Sequence, residues 1–154
     1  MNSSREVEEL VRSGQIKKCP RDPKAVRNLI NRAYKDLATA KRNLSQDQDC
    51  SYNYAYNAML RSGLALMLSQ GFRPEIKDKH LIVVRYASAA LGEEFKRVIL
   101  DYDSMRRKRH RFLYEPDIPC SLKEAKDALS TAEGFVGAIA RHIRSEDPQM
   151  ELGL

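Results

Sequence analysis

Apolar residues recur at helical spacing through most of the chain, and this periodicity is the feature that most limits its possible folds. The apolar positions follow the three- and four-residue steps of an amphipathic helix in segments 22–44, 51–70, 93–114 and 121–146. A shorter helix is predicted over 81–92, although its LIVV run by itself is also compatible with a strand. The segment 51–70 is apolar around much of its circumference, which is typical of a central helix. We therefore predict an all-α fold, an up-and-down bundle of four or five helices.

Turn and capping residues divide the chain into three parts. Asp22 and Pro23 supply an N-cap acceptor and a residue whose fixed φ suits the first helical position, so the bundle is predicted to begin at 22. Residues 1–21 then form an N-terminal extension with a short helix that ends at Gly14, the bundle spans 22–146, and 147–154 form a flexible tail. Ser121 and Glu124 form a capping box that begins the last helix.

Composition narrows the class of protein further. Gly and Pro are scarce, with 7 and 6 residues, which favours helices over short strands. The three cysteines are widely separated and form no CxxC pair, which indicates free thiols and not a disulfide framework or a zinc site. No apolar run reaches membrane-spanning length and the polar N-terminus lacks a secretory signal, so we predict a soluble cytoplasmic protein with no membrane association. We expect no metal site and no cofactor, because metal-ligating and Gly-rich phosphate-binding motifs are absent from the sequence.

The positive charge of the chain is concentrated in one helix. Five cations fall within six residues, namely Arg106, Arg107, Lys108, Arg109 and Arg111. With about 100° of rotation per residue, Arg109 lies at the centre of the apolar stripe that Val98, Tyr102 and Leu113 define. Arg106 lies at the edge of this stripe, and the other cations face solvent. The basic segment therefore contains one inward-pointing arginine and a set of outer cations.

An arginine that points into a packed face needs a partner, because burying an unpaired charge is costly. One possibility is a buried salt bridge to Asp36, Asp49 or Asp103, or a long side chain that passes the edge of the core to reach water. The other is a cleft that binds phosphate. On the same helix, His110 and Tyr114 are four residues apart and flank Arg109 on one side.

Two segments carry a resemblance to a known family. MRRKRHRFLYEPD, near the end of the third long helix, and SYNYAYNAMLRSGLALMLSQGFRP, followed by a polar loop and His80, resemble the HEPN domain family, the higher-eukaryote and prokaryote nucleotide-binding domain. The likeness covers about residues 22–143. It implies a bundle of four or five helices, a homodimer with a shared cleft, and an interaction with RNA or a nucleotide. Many members of the family are RNases, often toxins paired with a nucleotidyltransferase-type antitoxin, so the resemblance implies that such a partner is possible here.

The resemblance assigns a catalytic motif of Arg, a polar residue, a spacer and His. Arg109 and His110 match the first two positions, but Tyr114 stands where the family motif has His, so the motif is degenerate. Metal-independent RNA cleavage needs a base for the 2′-hydroxyl proton, an acid for the leaving oxygen and a cation for the developing charge. Arg109 can supply the cation and His110 the proton transfer, whereas a tyrosine with a pKa of about 10 is a poor base. The candidate catalytic residues are therefore Arg109, His110 and Tyr114.

The remaining cations are predicted to contact nucleic acid, and three functions stay open. The predicted nucleic-acid contacts are Arg106, Arg107, Lys108 and Arg111. The chain is either an RNA-cleaving, toxin-like HEPN dimer, a non-catalytic module that binds a nucleotide or a nucleotidyltransferase-type partner, or a structural dimerisation module. Tyr52, Tyr54 and Tyr56 point to different sides of their helix, so we expect them to pack and not to form a base-stacking platform. His80 is expected to cap or join the loop before the LIVV run.

Overall fold

The computed structural model describes residues 2–75, 77–150 and 152, with side chains from Arg5 onward. Its helices are α1 (Asn2–Arg12), α2 (Pro23–Asn43), α3 (Gln48–Ser69), α4 (Lys79–Ala90), α5 (Lys96–Tyr114) and α6 (Leu122–Glu146). Two short strands, β1 (Ile16–Lys18) and β2 (Phe72–Pro74), pair in antiparallel fashion, and a 3-10 turn spans Glu93–Phe95. The predicted all-α bundle is confirmed.

The helix boundaries follow from local capping chemistry. The Asp22 side chain accepts a hydrogen bond from the Ala25 N–H at 3.0 Å, with Pro23 at the first helical position, as predicted. The predicted capping box of Ser121 and Glu124 is also formed. The central helix α3 begins earlier than its apolar pattern indicates, because Asp47 caps it by accepting from the Cys50 N–H at 3.0 Å.

Helix α3 lies at the centre of the bundle. It packs mainly against α2 and α6 and also contacts α4 and α5. Its buried residues lie around much of its circumference, in agreement with the sequence pattern. The largest fully buried side chains of the core include Tyr52, Tyr56, Tyr102 and Phe135. The central helix therefore connects the elements that build the site described below.

The N-terminal extension is part of the packed structure. Helix α1 packs against α4, and β1 pairs with β2 so that Ile16 lies opposite Pro74 and is 1% exposed. The periodicity of the sequence does not reveal these strands, since three residues are too few to show an alternating pattern. In the predicted tail, Met150 packs against the core and Leu152 is buried, whereas residues 151, 153 and 154 lie outside the described part.

The apolar stripe of α5 is buried over only part of its length. Ile99, Tyr102 and Met105 are buried, but Leu113, which the helical geometry places on the same stripe, is 64% exposed. The prediction that Leu113 faces the core is wrong, because in the last turn of α5 it is Phe112 that packs against the neighbouring helix, with its ring 5.1 Å from that of Tyr52. Arg109 lies between the buried and the exposed part of this stripe and is half-buried.

In the described part of the chain, no helix combines the length and apolar character that crossing a bilayer requires.

Candidate functional site

Arg109 lies over the face of Tyr56. Its guanidinium carbon is 5.2 Å from the centre of the Tyr56 ring, and its Nε is buried and finds no hydrogen-bond partner among the described residues. Among the residues that the structure describes, no carboxylate forms an ion pair with Arg109. A guanidinium is more weakly hydrated than an ammonium group and stacks well on an aromatic face, so Tyr56 can hold it at this half-buried position.

The carboxylates considered as partners of Arg109 are engaged elsewhere. Asp36 pairs with Arg61 at 2.8 Å, and Asp49 accepts a hydrogen bond from the Cys120 N–H at 3.0 Å. Asp103 is occupied by its neighbours on α5 and lies 3.1 Å from Nε of Arg106. A buried salt bridge is therefore not what receives Arg109 within the described residues.

The side chain of Tyr56 that contacts Arg109 also contacts His80. The Tyr56 hydroxyl and Nδ1 of His80 share a hydrogen bond of 2.7 Å. The two rings are nearly parallel, with 7° between their planes and 5.6 Å between their centroids. Tyr102 of α5 packs against Tyr56 at 5.7 Å. Helices α3, α4 and α5 therefore meet at Tyr56, and we call Arg109, Tyr56 and His80 the Arg109 cluster.

The electrostatics of the Arg109 cluster favour a neutral imidazole beside positive charge. Burial lowers the pKa of His80 below its ordinary value, and neighbouring positive charges lower it further. These charges belong to Arg109, Arg106 and Lys79. Burial raises the pKa of Tyr56 to about 12, although the charges of Arg109 and Arg106 act to lower it. At neutral pH the cluster therefore offers a cation, a phenol and an uncharged imidazole.

The other two residues of the predicted motif lie apart from this cluster. His110 and Tyr114 are both exposed, and their rings contact each other with centroids 4.5 Å apart and 46° between planes. The structure thus brings His110 and Tyr114 together as a surface pair, while Arg109 contacts α3. This separation follows from the helical geometry, which turns His110 and Tyr114 away from the direction of Arg109.

The four predicted nucleic-acid contacts each have a carboxylate neighbour. Arg106 and Arg107 share Asp103, at 3.1 and 3.5 Å. The remaining two pairs are Lys108 with Glu124 at 3.6 Å and Arg111 with Glu115 at 3.4 Å. Three of these four cations are exposed and Arg106 is half-buried. Ion pairs that face solvent are weak, so the carboxylates hold the exposed cations only weakly. Arg109 differs from all four because it faces an aromatic ring instead of a carboxylate.

Sequence reasoning did not identify Tyr56 and His80 as members of the site. The expectation that Tyr56 packs in the core agrees with its burial, but its second contact, with His80 across 24 positions of sequence, has no local signature.

In the described residues, no group of three or more histidine, cysteine, aspartate or glutamate side chains is arranged to hold a metal ion.

The fold and the cluster define a class of protein, an α-helical bundle with an arginine that stacks on a tyrosine where three of its helices meet and that forms no ion pair with a described carboxylate. The family model described as HEPN domain matches residues 26–143, most of the chain. The chain therefore belongs to the HEPN family, whose members have nucleotide- or RNA-related functions and commonly dimerise. No curated protein and no solved structure matches the chain significantly. Every residue of the Arg109 cluster lies inside the matched range.

Proposed function

We propose that this protein binds RNA and that Arg109 contacts an RNA phosphate. The observation that supports the proposal is the half-buried Arg109, for whose buried Nε the described residues provide no hydrogen-bond partner and whose charge no described carboxylate neutralises. A cation in such a position is stabilised by an incoming anion, and a guanidinium offers two parallel N–H groups to phosphate oxygens. Membership of the HEPN family favours RNA or a nucleotide as the source of that phosphate.

The outer cations extend the same surface. Arg107, Lys108 and Arg111 are exposed on α5, where their carboxylate neighbours can be exchanged for phosphates. Such residues supply sequence-independent attraction that weakens as salt rises, whereas a half-buried arginine fixes one phosphate in place. A strand of RNA presents several phosphates at once, so RNA fits this surface better than a mononucleotide does.

The proposal includes a homodimer and a cytoplasmic location. HEPN domains commonly dimerise, and a dimer would place two copies of α5 beside a shared cleft. His110 and Tyr114 would then lie at the rim of that cleft, where they can contact the bases or the sugar next to the bound phosphate.

A second candidate is a non-catalytic module that binds a nucleotidyltransferase-type partner, as in a toxin–antitoxin pair. It is favoured by large apolar side chains exposed where α5 gives way to α6, namely Leu113, Tyr114, Ile118 and Leu122. Exposed apolar patches commonly mark protein-binding surfaces. This candidate expects co-purification with such a partner, loss of the complex in Leu113→Glu, and no cleavage of RNA.

Fluorescence anisotropy tests the proposal by measuring the binding of an RNA oligonucleotide. The oligonucleotide carries 2′-deoxy sugars at the positions of cleavage, because a position without a 2′-hydroxyl resists cleavage. We expect Arg109→Ala to raise Kd by about tenfold or more, as the loss of a charged hydrogen-bonded contact implies. Arg107→Ala is the matched control on the same helix and is expected to raise Kd by only about twofold. Equal Kd values for the wild-type and Arg109→Ala proteins would refute the proposal.

A further inference from the structure

The three histidines of the chain occupy three different environments. His142 lies 2.9 Å from a carboxylate oxygen of Glu146, near the end of α6. His110 is exposed, and its ring contacts that of Tyr114 one turn further along α5. His80 is half-buried and shares Tyr56 with Arg109. Of the three imidazoles, it is His80 that the fold fixes beside the unpaired arginine.

Two contacts fix the orientation of the His80 ring. The hydrogen bond to the Tyr56 hydroxyl holds Nδ1 at 2.7 Å, and the nearly parallel packing of the rings sets the imidazole plane. In the tautomer in which Nδ1–H donates to the Tyr56 oxygen, Nε2 carries the free lone pair. No hydrogen bond joins Nε2 to any residue that the structure describes. Nε2 is therefore the atom left for a ligand.

We infer that His80 is the general base of a metal-independent RNA cleavage, that Tyr56 is its positioning residue, and that Arg109 holds the phosphate that is attacked. The inference rests on the proposed binding of RNA phosphate at Arg109 and adds the chemical step and its proton acceptor. It moves the base from the α5 motif, where Tyr114 replaces the expected histidine, to a histidine of α4. His110 keeps its proposed place at the rim of the cleft between the two protomers.

The step is a transesterification that needs no co-reactant. Nε2 of His80 takes the proton of the 2′-hydroxyl, and the 2′-oxygen forms a bond to the adjacent phosphorus. The bond between phosphorus and the 5′-oxygen breaks, and the leaving oxygen takes a proton from solvent while the imidazolium of His80 returns its proton to solvent. The products are a 2′,3′-cyclic phosphate and a 5′-hydroxyl end. The guanidinium of Arg109 stabilises the negative charge that accumulates on the phosphoryl oxygens.

Burial first, and then the positive charges around His80, lower the pKa of the imidazole, so that the ring is uncharged at neutral pH and can accept a proton. Arg109 and Arg106 face it from α5, Lys79 adjoins it on α4, and all three lower its pKa. Tyr56 faces it from α3 as a neutral phenol. Because the pKa of His80 is below its ordinary value, the cleavage rate should rise with pH through a midpoint below about 6.5 and then level off. Removing a positive charge, as in Arg109→Gln, should move the pKa of His80 upward.

Single-turnover cleavage of an all-ribose oligonucleotide in the presence of EDTA tests the inference. We expect His80→Gln to lower the rate by about a hundredfold or more, the usual contribution of a general base, while Kd for the 2′-deoxy oligonucleotide stays within about threefold of wild type. Tyr56→Phe should lower the single-turnover rate constant at saturating protein by about tenfold and leave the half-saturating protein concentration nearly unchanged, because it loosens the ring without removing it. His142→Gln is the matched control, because His142 lies near the end of α6 beside Glu146, and it should cleave like wild type.

The outcomes separate this inference from the proposed function. Wild-type rates in His80→Gln, or a loss confined to His110→Gln, would show that His80 is not the base. Arg109-dependent binding without any cleavage by the wild-type protein would also refute the inference and leave the proposed function standing. Binding that does not depend on Arg109 would refute both. If His80→Gln does not fold, the cleavage rate of Tyr56→Phe and the NMR titration of His80 in the wild-type and Arg109→Gln proteins decide. A pKa of His80 that is the same in these two proteins would contradict the inference.

Discussion

Gly63 of α3 lies in close contact with Val83 of α4, and this contact can be tested by adding one methyl group. A Cβ built on Gly63 would meet Cγ1 of Val83 at a separation of 2.3 Å, far inside van der Waals contact. Val83 is 0% exposed, and its β-branched side chain has one strongly preferred rotamer in a helix. Gly63→Ala therefore forces either a strained Val83 or a displacement of α4.

Two opposing effects determine the size of the change. Replacing Gly by Ala inside a helix stabilises it by about 1 kcal/mol, whereas overpacking a core commonly costs about 1–3 kcal/mol. The net loss in the free energy of unfolding should therefore be about 0–2 kcal/mol in the wild-type background. In a Val83→Ala background the space for the new methyl group exists, so only the helical gain remains and Gly63→Ala should stabilise by about 1 kcal/mol. The coupling between the two substitutions should be about 1–3 kcal/mol.

Urea denaturation of the wild-type protein, both single variants and the double variant measures this coupling. Gly63→Ala should be destabilising or neutral alone and stabilising beside Val83→Ala. Equal effects in the two backgrounds would show that the helices do not touch at this point. Gly63 follows Tyr56 by two helical turns and Val83 follows His80 by about one, so a displaced α4 should also weaken the 2.7 Å Tyr56–His80 hydrogen bond and slow RNA cleavage.

Two further substitutions test other parts of the structure. Arg61→Met leaves the buried Asp36 with Arg32 alone, at 3.7 Å, and should lower the free energy of unfolding by about 3 kcal/mol near neutral pH. The loss should be smaller in acid, because burial raises the pKa of Asp36 and the folded state therefore takes up a proton there before the unfolded state does. Urea denaturation at two pH values measures the loss in each condition. A loss that does not depend on pH would contradict the prediction. Ser121→Ala removes the capping box of α6 and should cost about 1 kcal/mol, or about 2–4 °C in Tm, whereas Ser130→Ala, exposed within the same helix, should cost little. Equal Tm values for these two variants would show that the cap does not contribute.

Much of the fold is predictable because its signals are local. Asp22 and Ser121 begin helices where their side chains can accept a backbone N–H, and this chemistry is readable from a few adjacent residues. The helical geometry also gave the correct direction for Arg109, toward the neighbouring helices. It could not tell which side of the last turn those neighbours cover, so it placed Leu113 in the core, whereas Phe112 packs against Tyr52 there and Leu113 is exposed.

The composition of the site depends on contacts between helices, which periodicity does not encode. Periodicity shows that Tyr56 points inward from α3, but whether His80 of α4 lies beside it depends on the spacing of the two helices. That spacing is set by the close approach at Gly63 and Val83, which is itself a tertiary contact. A family motif has the same limitation, because it describes residues of one helix. The candidate site could therefore be located on α5 from the sequence, whereas its members on α3 and α4 could not be found.

The pairing of β1 with β2 has a consequence for the order in which the chain folds during synthesis. β1 leaves the ribosome before α2 and α3, and its hydrogen-bonding partner, Phe72–Pro74, follows both helices. A three-residue strand has no stability without its partner, so Ile16 must wait unpaired until the α2–α3 hairpin has formed and brought the two ends together. Backbone protection at Cys19, whose N–H donates to the Gly71 carbonyl at 2.9 Å, would thus mark the completion of that hairpin in a nascent chain.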